Sequence, residues 1–277
     1  MNLPPYVAVT TAKNEQCSIE KTIDSVLNQS HPPLTYVVVD DNSRDDTLLI
    51  IKQKPVIPVH IKKLALPVRS YNMLRGLLVG IDRATKEFPS WNFLLKVDAD
   101  TILPENYVEK LMSKLLKNNK IGIASGVMNN RLLRKTRPSD GAKIYRRECW
   151  DEIKGLDFVV GWDTHATLKA MKEGWITRAF PDISYLEKRE SKKKSLKSWM
   201  QIGFNRYYLG FPLFHSYWTA LEYMNDYPYF FGSIILIISH FIALLTRNRT
   251  FQPDYYESVK KIALWELMER VLNKCYL

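Results

Sequence analysis

The sequence predicts an α/β domain built on a largely parallel sheet, followed by a helical appendage. Three observations carry this reading. The runs Val7–Thr10, Tyr36–Val39 and Phe93–Val97 are short and largely apolar on both faces, as strands covered on both sides are. Segments with helical apolar spacing alternate with them, which is the rhythm of a parallel sheet with crossover helices. Each run also ends in a cluster of polar residues, where such sheets bind their ligands.

Taken in order, Val7–Thr10 opens the fold and leaves it through Thr11-Ala12-Lys13-Asn14-Glu15. Ser18 is placed to cap a helix carrying Ile19, Ile23, Val26 and Leu27 at helical spacing. The second strand runs into Asp40-Asp41-Asn42-Ser43, and a short helix follows at Thr47–Lys52. Val59–Ile61 reads as a third strand, and Ser70–Ala84 as a helix with Leu74, Leu77, Leu78 and Ile81 on one side. Phe93–Val97 then ends in Asp98-Ala99-Asp100. Beyond it, Leu103–Leu116 suggests a helix, Ile121–Val127 a strand with two glycines, and Lys143–Arg147 a strand entering a helix at Glu148. Asn129–Asp140, with its four basic residues, reads as a mobile segment on the acceptor side. Gly161-Trp162-Asp163-Thr164-His165 leads into a helix that stops at Gly174.

The chain has 277 residues, enough for one large domain with an appendage, and a net charge of +11 favours an anionic partner. Cys17, Cys149 and Cys275 are too few and too widely spaced for a disulfide framework or a zinc site, and they read as reduced thiols. Met1–Tyr6 lacks a basic stretch followed by an apolar run, so no secretory signal is expected.

Side chains two apart on an extended chain point the same way, so Asp98 and Asp100 converge where their strand leaves the sheet. Paired carboxylates of this kind suit a hard divalent cation, Mg²⁺ or Mn²⁺, which keeps waters and binds phosphate oxygens as well. The plainer meaning is loop solvation and a cap for the following helix. Three polar strand ends along one edge are not explained by turn chemistry alone.

The order of these motifs resembles family 2 of the glycosyltransferases, inverting enzymes of the GT-A fold that use nucleotide-sugar donors. The likeness rests on Thr11-Ala12-Lys13-Asn14-Glu15, on Asp40-Asp41-Asn42-Ser43 followed by Asp46-Thr47, on Arg69-Ser70-Tyr71-Asn72, and on Asp98-Ala99-Asp100. It covers about residues 6 to 185. It implies a donor side in about residues 1 to 100, with Asn14 and Glu15 at the nucleoside, Asp41 at a base edge and Arg69 beside the diphosphate. It also implies Asp98 at the ribose or metal and Asp100 on a Mn²⁺ or Mg²⁺ ion held against the diphosphate. The acceptor side would then occupy about residues 101 to 198. There the family carries a catalytic base before a helix, commonly Glu-Asp. Trp162 stands where the Glu would be, leaving Asp163 as candidate base; its plainer role is a helix N-cap. His165 and Arg146, the latter in a Tyr-Arg-Arg pattern also seen in the family, are secondary candidates. A lipid phosphate acceptor, as in a polyprenyl-phosphate sugar synthase, would need no base.

Residues 199–277 form the appendage. Basic residues crowd Glu187–Lys197, aromatics follow, and 227–246 carries no charge. A helix over that stretch would reach roughly 30 Å, a bilayer's hydrocarbon thickness, and is expected to span or embed. Residues 260–274 read as an amphipathic helix for the membrane surface or the catalytic domain. The expected whole is a membrane-associated transferase with a cytoplasmic catalytic domain and a lipid-linked or glycan acceptor. A basic nucleic-acid-binding protein would explain the charge and the aromatics but not the acidic strand ends. A processive polymer synthase fits less well, because Gln201–Tyr207 matches its Gln-x-x-Arg-Trp signature poorly.

Overall fold

A computed structural model describes residues 3–62, 69–129, 135–187, 195–246, 251 and 253–275, with side chains omitted at 69, 70 and 270–275. The chain divides into two units, Met1–Arg189 and Glu190–Leu277. The expected boundary at 198/199 falls inside a helix instead.

The first unit runs β1 (Tyr6–Ala12), α1 (Ile19–Leu27), β2 (Thr35–Asp40), α2 (Thr47–Lys52), β3 (Ile57–His60), α3 (Arg69–Glu87), β4 (Phe93–Asp98), β5 (Thr101–Ile102), α4 (Tyr107–Lys117), β6 (Ile121–Met128), β7 (Ala142–Arg146), α5 (Arg147–Glu152), α6 (Trp162–Lys172) and β8 (Ile176–Glu187). The strand order is β3-β2-β1-β4-β7-β6-β8-β5. The first four strands are parallel, β7 is antiparallel to both β4 and β6, and β8 runs parallel to β6. This is a mixed, mostly parallel sheet. Because β7 is reversed, its first residues lie at the edge where β4 ends: Val97 pairs with Ala142, and Asp98 N donates to Gly141 O at 2.8 Å.

Two apolar layers cover the sheet. Ala8, Leu95, Val97 and Ile144 pack on one face with α1 and α4. Val7, Val9, Leu94 and Tyr145 pack on the other with α3 and α6. On that second face α3 lies close to the strands, because a Cβ on Gly80 would be 2.5 Å from Val9 Cγ1 and 2.9 Å from Val39 Cγ2. Only hydrogen fits between helix and sheet there.

The second unit consists of α7 (Leu196–Tyr208), α8 (Leu213–Glu222), α9 (Phe230–Thr246) and α10 (Pro253–Cys275). The uncharged stretch 227–246 is therefore a helix of 17 residues, about 25 Å long. No helix among the described residues is long and apolar enough to cross a membrane, which corrects the expectation of a span. The physical reason is that α9 is shortened by Pro228 and two-sided: Gly232, Ser233, Ser239 and His240 turn into the unit while Phe231, Ile234 and Ile238 are exposed. The helix expected at 260–274 begins seven residues earlier, at Pro253.

Candidate functional site

The carboxyl edge of β3-β2-β1-β4 is built from loops laced to one another. Asn14 takes a left-handed φ of 54°, which Asn tolerates better than most residues. That turn lets its side chain accept from Arg44 N at 2.8 Å while its own N donates to Ser43 Oγ at 2.9 Å. Glu15 N donates to Thr47 Oγ1, and Ser18 Oγ donates to the Glu15 carboxylate at 3.0 Å. Ser18 thus holds Glu15 and makes no side-chain cap on α1, contrary to the sequence expectation.

Of the two carboxylates after β2, Asp40 is fully buried and bound to His60 Nδ1 at 2.8 Å. Asp41 meets Lys13 Nζ at 2.8 Å. Lys13 lies in the loop read only as polar, so this contact was missed.

Asp98 and Asp100 flank Ala99, whose carbonyl accepts from Thr22 Oγ1 of α1 at 2.9 Å. The turn that presents both carboxylates is thereby fixed. Among the described residues no group of three or more His, Cys, Asp or Glu side chains could hold a metal ion, so any cation here draws on this pair and on its ligand. The backbone of Arg69 opens α3, but its side chain lies outside the described residues, as does 130–134 of the basic loop.

Five charged side chains join this edge to α6. Lys96 and Lys143 are register partners on β4 and β7, both buried, and they project from the face that carries Leu94 and Tyr145. Lys96 Nζ lies 2.5 Å from Asp98 Oδ1 and donates to Asp140 O at 2.5 Å. Lys143 Nζ donates to Asp140 Oδ1 at 2.8 Å and to Asp163 Oδ1 in a shorter bond. The segment carrying Asp140 is itself held. Ser139 N donates to Ser125 Oγ at 2.7 Å, and Gly141 lies so close to the Tyr185 ring that a Cβ would be 2.7 Å from it.

Asp163 therefore does not cap α6. That position is Gly161, in a left-handed conformation, and Asp163 sits in the first turn with its carboxylate on Lys143. Trp162, the first residue of α6, is buried in the core and offers no substitute for a carboxylate. Burial first, and the Asp140 charge second, push Asp163 up to about 8, against the opposing pull of Lys143. Burial likewise raises Asp98, offset in part by Lys96. Desolvation would raise Asp140 too, but Lys143, a hydrogen bond with Asp163 and the Lys96 charge together outweigh it and hold Asp140 below the usual carboxylate range.

Two secondary candidates fall elsewhere. Arg146 pairs with Phe93 at the far end of β4 and donates to the carbonyls of Ile121 and Leu115, at 3.0 and 2.6 Å. It supports the sheet at the end away from the carboxylates, because the reversed direction of β7 carries it there. His165 is buried on α6 with Nδ1 3.2 Å from Asp157, and burial lowers it to about 4, so its ring is neutral at pH 7.

Residues 7–173 match the family model described as Glycosyl transferase family 2. An uncharacterized glycosyltransferase from Haemophilus influenzae is 28% identical over 120 residues, 43% of this chain and 35% of that protein. The chain thus spans about a third of that relative. A solved mannosyltransferase from Pyrobaculum calidifontis, in complex with GDP-Man and Mn²⁺, superposes with a TM-score of 0.60 at 17% identity, covering 95% of this chain and 75% of that one. TarS residues 1–349 from S. aureus, in complex with UDP-GlcNAc, gives 0.52 at 16% identity, covering 88% and 73%. At these identities the two structures show a shared fold.

Proposed function

The chain belongs to glycosyl transferase family 2, and from that premise we propose that it moves a sugar, with inversion, from a uridine or guanosine diphosphate sugar to a lipid-linked or glycan acceptor. The observation that carries the reading is the run of carboxylates Asp41, Asp98, Asp100 and Asp163 along one sheet edge, with Asp98 tied to Asp163 through Lys96, Asp140 and Lys143. Solved structures of the same fold hold GDP-Man with Mn²⁺ and UDP-GlcNAc, which supports a nucleotide-sugar donor and a divalent cation here.

In this reading the loops after β1 and β2 bind the nucleoside, with Asp41 toward the base and Glu15 toward the ribose. Asn14 keeps the two loops together. Asp98 and Asp100 supply only hard oxygen ligands, which fits Mg²⁺ or Mn²⁺ completed by water and diphosphate oxygens. When bound, such a cation neutralises charge on the departing diphosphate. One oxygen of Asp98 is engaged by Lys96, which leaves its other oxygen to bind the cation beside Asp100. The acceptor hydroxyl oxygen attacks the anomeric carbon from the side opposite the diphosphate. Its proton passes to Asp163 as the carbon–oxygen bond to the leaving group breaks, an assistance of typically 10²- to 10⁴-fold. The carboxyl-terminal unit is membrane-associated in this reading, and the catalytic unit is cytoplasmic.

One observation favours a lipid phosphate as acceptor: Asp163 is already engaged by Lys143, and an ionised phosphate needs no proton removed. Asp163→Asn separates the cases, since it abolishes transfer to a hydroxyl and spares transfer to a phosphate.

The test of the donor site is calorimetry of the purified chain with UDP, GDP and their sugar conjugates, with and without Mn²⁺. Binding of one nucleotide that needs Mn²⁺ and disappears in Asp100→Ala is the expected result. No binding to any of them by folded protein would overturn the reading.

A further inference from the structure

We infer that the carboxyl-terminal unit lies in the plane of a membrane, sunk into one leaflet of anionic lipid with the outer face of α9 among the acyl chains. This deepens the membrane association proposed above and rests on it, while fixing its geometry.

A water-soluble bundle hides its large apolar side chains, whereas this unit leaves a row of them uncovered. Phe231, Ile234, Ile238, Phe241 and Leu245 form one exposed stripe along α9, whereas Gly232, Ser233, Ser239 and His240 are buried on its other side. The interior they face combines an apolar cluster of Trp199, Ala220 and Leu236 with a polar network. Arg206 of α7 donates to Ser216 Oγ at 2.8 Å and, through a shorter contact, to His215 Nδ1. His215 Nε2 lies 3.2 Å from Glu266 of α10, and Ser216 Oγ is 2.8 Å from His240 of α9. All four helices contribute to this network. A contiguous row of exposed apolar side chains of this kind marks a binding face on a protein surface.

Helix packing within the unit has the character of helices in lipid, where small residues permit close approach and polar groups bind across the interface. A Cβ on Gly203 of α7 would be 2.4 Å from Leu236 O, and one on Gly232 would be 2.5 Å from the Trp199 ring. These two contacts depend on the absence of a side chain.

Other exposed side chains of the unit suit a headgroup layer. Tyr227, Tyr229 and Trp265 are exposed, as aromatic residues at a membrane interface are, and Lys197, Lys260 and Lys261 are exposed to meet anionic headgroups, alongside exposed Glu222, Asp254 and Glu257. A span is excluded by length and by coverage. At about 25 Å, α9 falls short of the roughly 30 Å hydrocarbon core, and half its circumference is packed against protein.

The test is flotation of the full chain with vesicles of phosphatidylcholine alone and of phosphatidylcholine mixed with phosphatidylglycerol. Nucleotide binding is measured on the same preparation, so loss of the transferase reading registers separately. The chain is expected to float with the mixed vesicles. Ile234→Asn with Ile238→Asn should lower partitioning at least tenfold, roughly, with melting and nucleotide binding unchanged because both side chains are exposed. Lys260→Gln and Lys261→Gln should each lower it about fivefold on anionic vesicles alone. Orientation is read from Asn225→Cys and Thr246→Cys, which flank α9. With an impermeant thiol reagent added outside the vesicles and each site read by mass spectrometry, both react if the helix lies in the plane. Reaction at only one of them overturns the in-plane placement. Failure to float by protein that still binds nucleotide overturns the proposal, as does a stable dimer that the isoleucine substitutions dissociate, since a second copy then covers the stripe.

Discussion

Lys96 and Lys143 face each other across β4 and β7 as register partners, both buried. Like charges directly opposite in a sheet repel, and burial magnifies the cost. The arrangement holds because Asp98, Asp140 and Asp163 are interleaved with the two ammonium groups. Each charge in the row is therefore a support for its neighbours, and the catalytic edge is an ionic structure as much as a binding surface.

The first consequence concerns Lys143. Its removal leaves the largely buried Asp163 and the more exposed Asp140 without their shared cation. Lys143→Met is expected to destabilise the first unit by about 3 to 5 kcal/mol, the usual cost of breaking a buried pair from one side. Adding Asp163→Asn should recover part of that loss, because the uncompensated carboxylate goes with it. Urea unfolding of the single and double variants measures both; equal stability of the two would mean that the pair is not coupled.

The second concerns pH. Asp163 is raised from 3.8 to about 8, so the folded state favours its protonated form. A group raised in this way contributes stability fully present below its unfolded value and lost as pH rises through the folded one. The stability of the wild type relative to Asp163→Asn should therefore fall between about pH 4 and pH 8. The base must be ionised to work, so kcat/KM with a hydroxyl acceptor should climb with pH toward a plateau above about 8. Asp140→Asn removes the like charge and should move that inflection downward. A pH profile unmoved by Asp140→Asn would show that Asp140 does not tune Asp163.

What the sequence made legible follows from burial. β1, β2 and β4 are covered on both faces and read as continuous apolar runs, so they and their acidic ends were recoverable. β8 was not, because its Ile176–Glu187 pattern breaks at the exposed Pro181 and Asp182, where its pairing with β6 is irregular. Lys143 was hidden for a different reason: a lysine near a strand end reads as solvent-facing until β7 is known to run backward beside β4. Its signal was a charged residue inside a strand otherwise buried on every side. In the appendage the apolar window 227–246 reads as spanning or embedding and only the span is corrected; Ser233, Ser239 and His240 at helical spacing are the sign of a second, inward face.

The third prediction separates stability from donor binding with two glycines on α3. A Cβ on Gly76 would be 2.7 Å from Thr11 Cγ2, and Thr11 is the register partner of Asp98. A Cβ on Gly80 would strike Val9, which pairs with Lys96 two residues before Asp98, and Val39, which pairs with Thr11. Both Gly→Ala substitutions overpack the layer and should cost about 1 to 3 kcal/mol. Gly76→Ala should weaken nucleotide binding more than Gly80→Ala does, because it pushes Thr11 itself, beside Asp98. Equal affinity in the two variants would dissociate the α3 contact from the donor site.

The last concerns the polar interior of the carboxyl-terminal unit. Arg206 can only donate, so the His215 Nδ1 it contacts is the acceptor, and the ring proton sits on Nε2, directed at Glu266. His215 is thus a neutral bridge between a buried guanidinium and a buried carboxylate. Arg206→Met or Glu266→Leu alone strands the opposite charge and should cost about 3 to 5 kcal/mol, while the double variant should lose clearly less than the sum. Hydrogen exchange across α7, α8 and α10, measured with and without anionic vesicles, resolves these changes within the unit. If vesicles protect the wild type more than they protect the single variants, the bridge is what holds four helices together where an apolar solvent provides no hydrophobic drive to associate. Strictly additive losses would mean that Arg206 and Glu266 stabilise their helices independently.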